Sequence, residues 1–213
     1  MKDTSGNFLS ELQIDALKEI VNIAFGNAAA SLSEVIELHA TLNVPEIKIV
    51  HSKELRDFIG STFDGGEDLH IVEQHYTSGF KGIAYLVFSM DSGKSFISLL
   101  EEYNEMPANM SINLLEKETL TEVGNIIIGA CLSKIAELLS DVVSYLPPRY
   151  IDGKYFYEDM PGNFFDGEGY AVILKTIFQF EKADVDGFLF LLINMDSIDK
   201  IREAVDKFMK NYE

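Results

Sequence analysis

KEIVNIAFGNAAASLSEVIE at residues 18–37 and TEVGNIIIGACLSKIAELLS at 121–140 are two versions of one segment, and that duplication decides the fold. Glu19, Asn22, Gly26 and Glu34 each recur 103 positions later as Glu122, Asn125, Gly129 and Glu137, and Pro45 recurs at the same offset as Pro148. Further along, GIAYLVFSMDS (82–92) returns as GFLFLLINMDS (187–197) at an offset of 105, so the second half has gained two residues in a loop. A repeat missed at this scale would distort every later assignment. The chain reads as two copies of a unit, about 8–105 and 110–211, within one domain spanning 1–213.

Each copy can be sketched from periodicity. Ile14, Leu17, Val21, Ala24, Phe25, Ala28, Leu32 and Val35 follow helical spacing across 11–38, and Ser10 with Gln13 has the form of a capping box. After Pro45, EIKIV alternates like a strand, and IVEQHYTS and GIAYLVFSM read as two more joined by a short Gly-containing turn. SGKSFISLLEEYN (92–104) closes the copy as a helix. The second copy repeats the order: a helix over about 112–141, strand material after Pro148, strands near 168–181 and 185–195, and a helix over 197–211. The Gly-rich, aromatic segment YFYEDMPGNFFDGEG (155–169) reads as a loop with some packed rings. Three strands with one coated face do not stand alone, so the copies are expected to join edge to edge. The fold class is therefore α/β of the α+β type: pseudo-two-fold helix-strand-strand-strand-helix units sharing one roughly six-stranded, mostly antiparallel sheet flanked by long helices.

The totals narrow the partners. With 213 residues, 47% of them hydrophobic, the chain can bury a sizeable core. Thirty-five acidic against 17 basic residues give a net charge of -18, which repels nucleic-acid phosphates and anionic membranes and favours a protein partner with a basic feature. The first residues have no basic start followed by an apolar stretch, and the longest apolar run, GFLFLLI at 187–193, suits a buried strand rather than a membrane span. Cys131 is the single cysteine and cannot form an internal disulfide. These features point to the cytoplasm.

One line of residues stands out on the first helix. Asp15, Glu19, Asn22 and Gly26 fall within about 60° of one another on a helical wheel, on the side away from the apolar face. Glu118, Glu122, Asn125 and Gly129 take the same places on the later helix. Acidic and amide side chains on one exposed helix face are usually just solvated. Duplication changes that reading, because surface residues have no packing reason to stay matched while their neighbours drift. Each glycine costs its helix roughly 1 kcal/mol against alanine, either to clear space for a close approach or to pack tightly within the protein.

The spacing Asp15, three residues, Glu19, two residues, Asn22, twenty-two residues, Pro45 resembles the signature of the CheC, CheX and FliY phosphatases of chemotaxis, which opens with Asp or Ser. Glu118, Glu122, Asn125 and Pro148 fit it with one departure, since Glu118 stands where the family has Asp or Ser. The likeness covers nearly the whole chain, because two helix-led units in tandem are the CheC arrangement.

The resemblance implies hydrolysis of the aspartyl phosphate on the response regulator CheY. An acyl phosphate is already activated, so a catalyst has mainly to place a water in line with phosphorus. Asn22 and Asn125 would each hold that water through the side-chain carbonyl while the amide NH2 contacts a phosphoryl oxygen. Glu19 and Glu122 would pair with a lysine of the receiver, giving register and specificity rather than taking a proton. Asp15, Glu118, Gly26, Gly129, Pro45 and Pro148 would support docking. No metal-ligand cluster is expected in this chain, and the Mg2+ would belong to the receiver. Two rival roles come with the family: a non-catalytic, CheY-binding module of the flagellar switch, and an adaptor for the receptor deamidase CheD, which some CheC proteins bind.

Other signals carry less. DSGKS (91–95) ends like a phosphate-binding loop, but Phe88 stands where that loop needs glycine, so a capped helix start fits better. His70 and His75 fall on opposite faces of a strand, and His39 and His51 have no partner at ligand spacing. DVDG (184–187) lacks the rest of a calcium loop and suits a hairpin turn. Cys131 lies on the apolar side of its helix as filler, and NMS (109–111) is idle without secretion.

Overall fold

The fold is built around the two most apolar runs of the chain. In the computed structural model, which describes residues 8–36, 40–42, 46–51, 53–54, 57–58, 61, 69–89, 95, 112–159, 170–180, 185–194 and 197–212, these runs form β4 (Lys81–Ser89) and β8 (Val185–Asn194). They lie side by side at the centre of one sheet, antiparallel, with Gly82 opposite Ile193 and Phe88 opposite Gly187. Tyr85 therefore faces Phe190, its own counterpart in the repeat, so the pseudo-two-fold axis passes through that pair.

Outside β4 lies β3 (Leu69–Thr77), and outside β8 lies β7 (Tyr170–Phe180). Each outer position is shared by two short strands. β1 (Ala40–Leu42) and β2 (Glu46–His51) both pair with β7; β5 (Ser144–Tyr145) and β6 (Arg149–Asp152) both pair with β3. All of these pairings are antiparallel. The sheet thus has eight strands where about six were expected, because each edge is broken. On the second edge Pro147 and Pro148 stand at the break, and proline has no N–H to give a ladder.

Both faces of the sheet are buried, which is why the central strands read as continuous apolar runs rather than alternating ones. On one face Leu86, Phe88, Leu174, Leu189 and Leu191 pack beneath α1 (Glu11–Ile36), α2 (Ile112–Leu138) and α4 (Ile198–Tyr212). On the other, Ile71, Tyr85, Val87 and Phe190 meet Phe156 of α3 (Gly153–Asp159) and Phe58. The expectation of one coated face is thus corrected. So is the loop at 155–169, whose first five residues lie in α3, with Phe156 edge-on to Tyr85. Its remainder from 160, Pro45, His39, residues 109–111 and all of the closing helix at 92–104 except Ser95 lie outside the described residues. Val185–Gly187, read as part of a turn, open β8.

The repeat is visible in packing detail. Gly82 of β4 faces Tyr76 across the ladder, and Gly187 of β8 faces Phe178; a side chain on either glycine would strike the ring that lies over it. The Tyr76 hydroxyl also donates to the Leu192 carbonyl at 3.2 Å. The segment Lys117–Leu138 of α2 reaches the length and hydropathy of a membrane span, but half of it is buried in the protein, as in a core helix. Burial pushes the Cys131 thiol well up, which suits filler.

Candidate functional site

The first stripe is positioned by the start of α1. The expected capping box is present: Gln13 N–H donates to Ser10 Oγ at 3.2 Å and Ser10 N–H to Gln13 Oε1 at 2.9 Å. The Gln13 amide also donates to Asp206 of α4 at 2.8 Å, and Arg202 of the same helix donates to the Phe8 carbonyl at 2.7 Å. With Leu17, Ile20, Val21, Ala24, Phe25 and Ala28 buried, α1 has no freedom to roll, and its opposite side is turned outward. Asp15, Glu19, Asn22 and Gly26 are all exposed there. Asp15 pairs with Lys18 at 3.3 Å, a surface contact worth little. Glu19 and Asn22 make no side-chain hydrogen bond or ion pair among the described residues.

The second stripe is seated more deeply. Glu118 and Glu122 are exposed, while Asn125 and Gly129 are half-buried. Beyond α2 the chain turns at Ser140 with a φ of 57° and runs back along the helix as β5 and the Leu146–Pro148 segment. Tyr145 from this return places its hydroxyl 3.3 Å from the Gly129 carbonyl and 2.8 Å from Ser133 Oγ. Pro148 lies half-buried at the end of the same return. Leu146 is 61% exposed, an apolar side chain offered to solvent beside the stripe.

Asn125 is held from below. Gln74 of β3, buried on the sheet face under α2, donates through Nε2 to Asn125 Oδ1 at 2.9 Å and to the Leu146 carbonyl at 3.2 Å. The motif spacing did not single out Gln74. A signal was available: Glu73 and Gln74 are adjacent in a strand, so in a sheet covered on both faces both must be buried and both need partners. Glu73 finds Arg149 Nε at 2.6 Å and His75 at 3.1 Å on the opposite face.

Among the described residues the glycines of the stripe have no packing role. A Cβ at Gly26 or Gly129 would meet nothing within 4 Å, whereas one at Gly124 would meet the Val72 side chain at 2.6 Å. Gly124, which the spacing passed over, is the helix-packing glycine. Gly124→Ala is accordingly expected to cost about 1–3 kcal/mol by overpacking. Gly129→Ala should instead stabilise by up to about 1 kcal/mol through helix propensity. Urea unfolding of the two variants checks the pair, and a destabilised Gly129→Ala would contradict it.

Among the described residues no group of three or more His, Cys, Asp or Glu side chains gathers that could hold a metal. His70 and His75 lie on opposite faces of β3, the first 2.6 Å from the Tyr150 hydroxyl. His51 accepts from the Lys53 N–H at 3.2 Å. What the two stripes offer is an exposed carboxylate and, one turn on, an amide beside an uncovered glycine, on each of two helices.

Comparison with known proteins bears on that arrangement. Residues 5–49 match the family model described as CheC-like family. The chain is 24% identical over 206 residues to CheY-P phosphatase CheC of Bacillus subtilis, covering 93% of this chain and 96% of the relative. It is also 24% identical over 141 residues to the flagellar motor switch phosphatase FliY of that organism, covering 66% of this chain but 36% of the relative, so it spans about a third of that longer protein. The fold is that of FliY from Thermotoga maritima, with a TM-score of 0.70 at 21% identity over 94% of this chain and 98% of the other.

Proposed function

We propose, for a chain that belongs to the CheC/CheX/FliY family, hydrolysis of the aspartyl phosphate of a CheY-type response regulator in the cytoplasm. One observation carries the reading: two carboxylate–amide pairs, Glu19 with Asn22 and Glu122 with Asn125, stand one turn apart on outward helix faces in a fold that repeats. Glu19 and Glu122 have no partner among the described residues, as suits groups that await a cation from outside.

In this reading each glutamate pairs with a receiver lysine. A carboxylate entering a pocket of acidic residues and phosphate is repelled unless a cation meets it, so the pair sets register. The asparagine then accepts a hydrogen bond from water and donates one to a phosphoryl oxygen. Water oxygen attacks phosphorus in line, the bond from phosphorus to the aspartyl oxygen breaks, and the products are a free carboxylate and inorganic phosphate, one water proton staying on the transferred oxygen and the other passing to a phosphoryl oxygen or to solvent. Mg2+ would belong to the receiver, where it would supply neutralisation of phosphoryl charge. Asp15 and Glu118 along the stripes and Pro148 in the returning chain serve as docking contacts, as does Pro45 by its place in the motif, and the open Gly26 and Gly129 let the receiver backbone come close.

The test is phosphate release from a phosphorylated CheY-type receiver at substoichiometric amounts of this chain. Multiple turnovers with decay faster than the receiver's own are expected. Decay that is unchanged, or slowed in proportion to the chain added, would instead mark a non-catalytic binder of the flagellar-switch kind.

A further inference from the structure

We propose that Gln74 is a positioning residue for Asn125, and that this makes the second stripe the faster of the two sites; the proposal rests on the phosphatase reading above. The orientation of the asparagine follows from a chain of hydrogen bonds with one fixed end. A backbone carbonyl can only accept, so the Gln74 atom 3.2 Å from the Leu146 oxygen is the amino nitrogen. The same nitrogen lies 2.9 Å from the Asn125 side chain, whose facing atom must then be the carbonyl oxygen. The amide plane of Asn125 is thereby pinned, with its NH2 directed away from the sheet. One lone pair of Oδ1 is used and one is left for water, while both N–H donors stay available for a phosphoryl oxygen. A hydrogen bond into Oδ1 also polarises the amide, strengthening those donors.

Holding this residue is costly to the fold. The Gln74 side chain is 1% exposed and its own Oε1 finds no partner among the described residues. A buried carbonyl without a partner is an expense that a leucine or methionine would avoid. Among the described residues the first stripe has no such device. Gln74 faces Ala84 across β3 and β4, and the counterpart of Ala84 is Leu189, which faces Thr176. Threonine therefore occupies the place of Gln74 beneath the first half. Asn22 is exposed and makes no hydrogen bond among the described residues, so its rotamer must be ordered at each docking event.

The experiment uses the full chain with Gln74→Leu placed in two backgrounds. With Asn22→Ala, leaving only the second site, kcat for phosphate release is expected to fall roughly tenfold with KM within about twofold, because one neutral hydrogen bond is lost and Glu122 is untouched. With Asn125→Ala, leaving only the first, Gln74→Leu should cost nothing further. Equal losses in both backgrounds, or a loss confined to KM, would overturn the proposal in favour of a purely structural role. A second measurement needs neither a variant nor activity: in the unsubstituted chain the side-chain NH2 of Asn125 should show an ordered heteronuclear NOE and that of Asn22 an averaged one. Equal mobility of the two overturns the clamp. If the unsubstituted chain releases no phosphate while Asn125 is ordered, the phosphatase reading fails and the clamp stands.

Discussion

Asn22→Ala combined with Asn125→Ala is expected to abolish accelerated phosphate release, with the receiver decaying at its own rate. A donor or acceptor aimed at the transition state is worth on the order of 10²-fold or more in rate. The fold should survive. Asn22 is exposed, and without Asn125 the Gln74 amide keeps its bond to the Leu146 carbonyl, so the double variant should lose no more than about 1–2 kcal/mol in urea unfolding. The single variants should be unequal, the Asn125 substitution removing the larger share. Release at the original rate by the folded double variant would take catalysis away from both stripes.

The parts of the molecule legible in its sequence are those whose cause is local or repeated. Helix α1 follows from apolar spacing and the Ser10–Gln13 cap, and the central strands from runs too apolar for any surface. Matching residues at a fixed offset exposed the duplication before any packing was known. What escaped depends on contacts between distant segments. Strands β1 and β5, of three and two residues, are too short to carry a period, and exist because β7 and β3 extend past β2 and β6. The helical turns of α3 lie in a segment whose aromatics and glycines resemble a loop; packed rings were expected there, and Phe156 against Tyr85 is one, but the helix was not.

The candidate site divides in the same way. Its stripe was readable because helical geometry alone puts Glu122 and Asn125 on one side. That Gly124 packs on Val72 while Gly129 stands open could not be read, since it depends on how α2 crosses β3. Gln74 was hidden for a related reason: a polar residue in a strand looks solvent-facing until both faces of the sheet are known to be covered.

Glu19→Gln together with Glu122→Gln is expected to raise the half-saturating receiver concentration on the order of 10²-fold, with kcat changed far less, because loss of a desolvated charge partner acts on binding. The sign separates two physical pictures. If these carboxylates are merely solvated, removing two negative charges from a chain of net charge -18 leaves association with an acidic receiver unchanged or tightens it. If they meet a lysine, the same change weakens it, and rising salt should weaken the original chain more than the variant. Stability is a poor explanation for either outcome, since both side chains are exposed without partners among the described residues and their substitution should fall within about 0.5 kcal/mol. A half-saturating concentration that falls or holds would return the glutamates to solvent and leave the asparagines to find the phosphate without a guide.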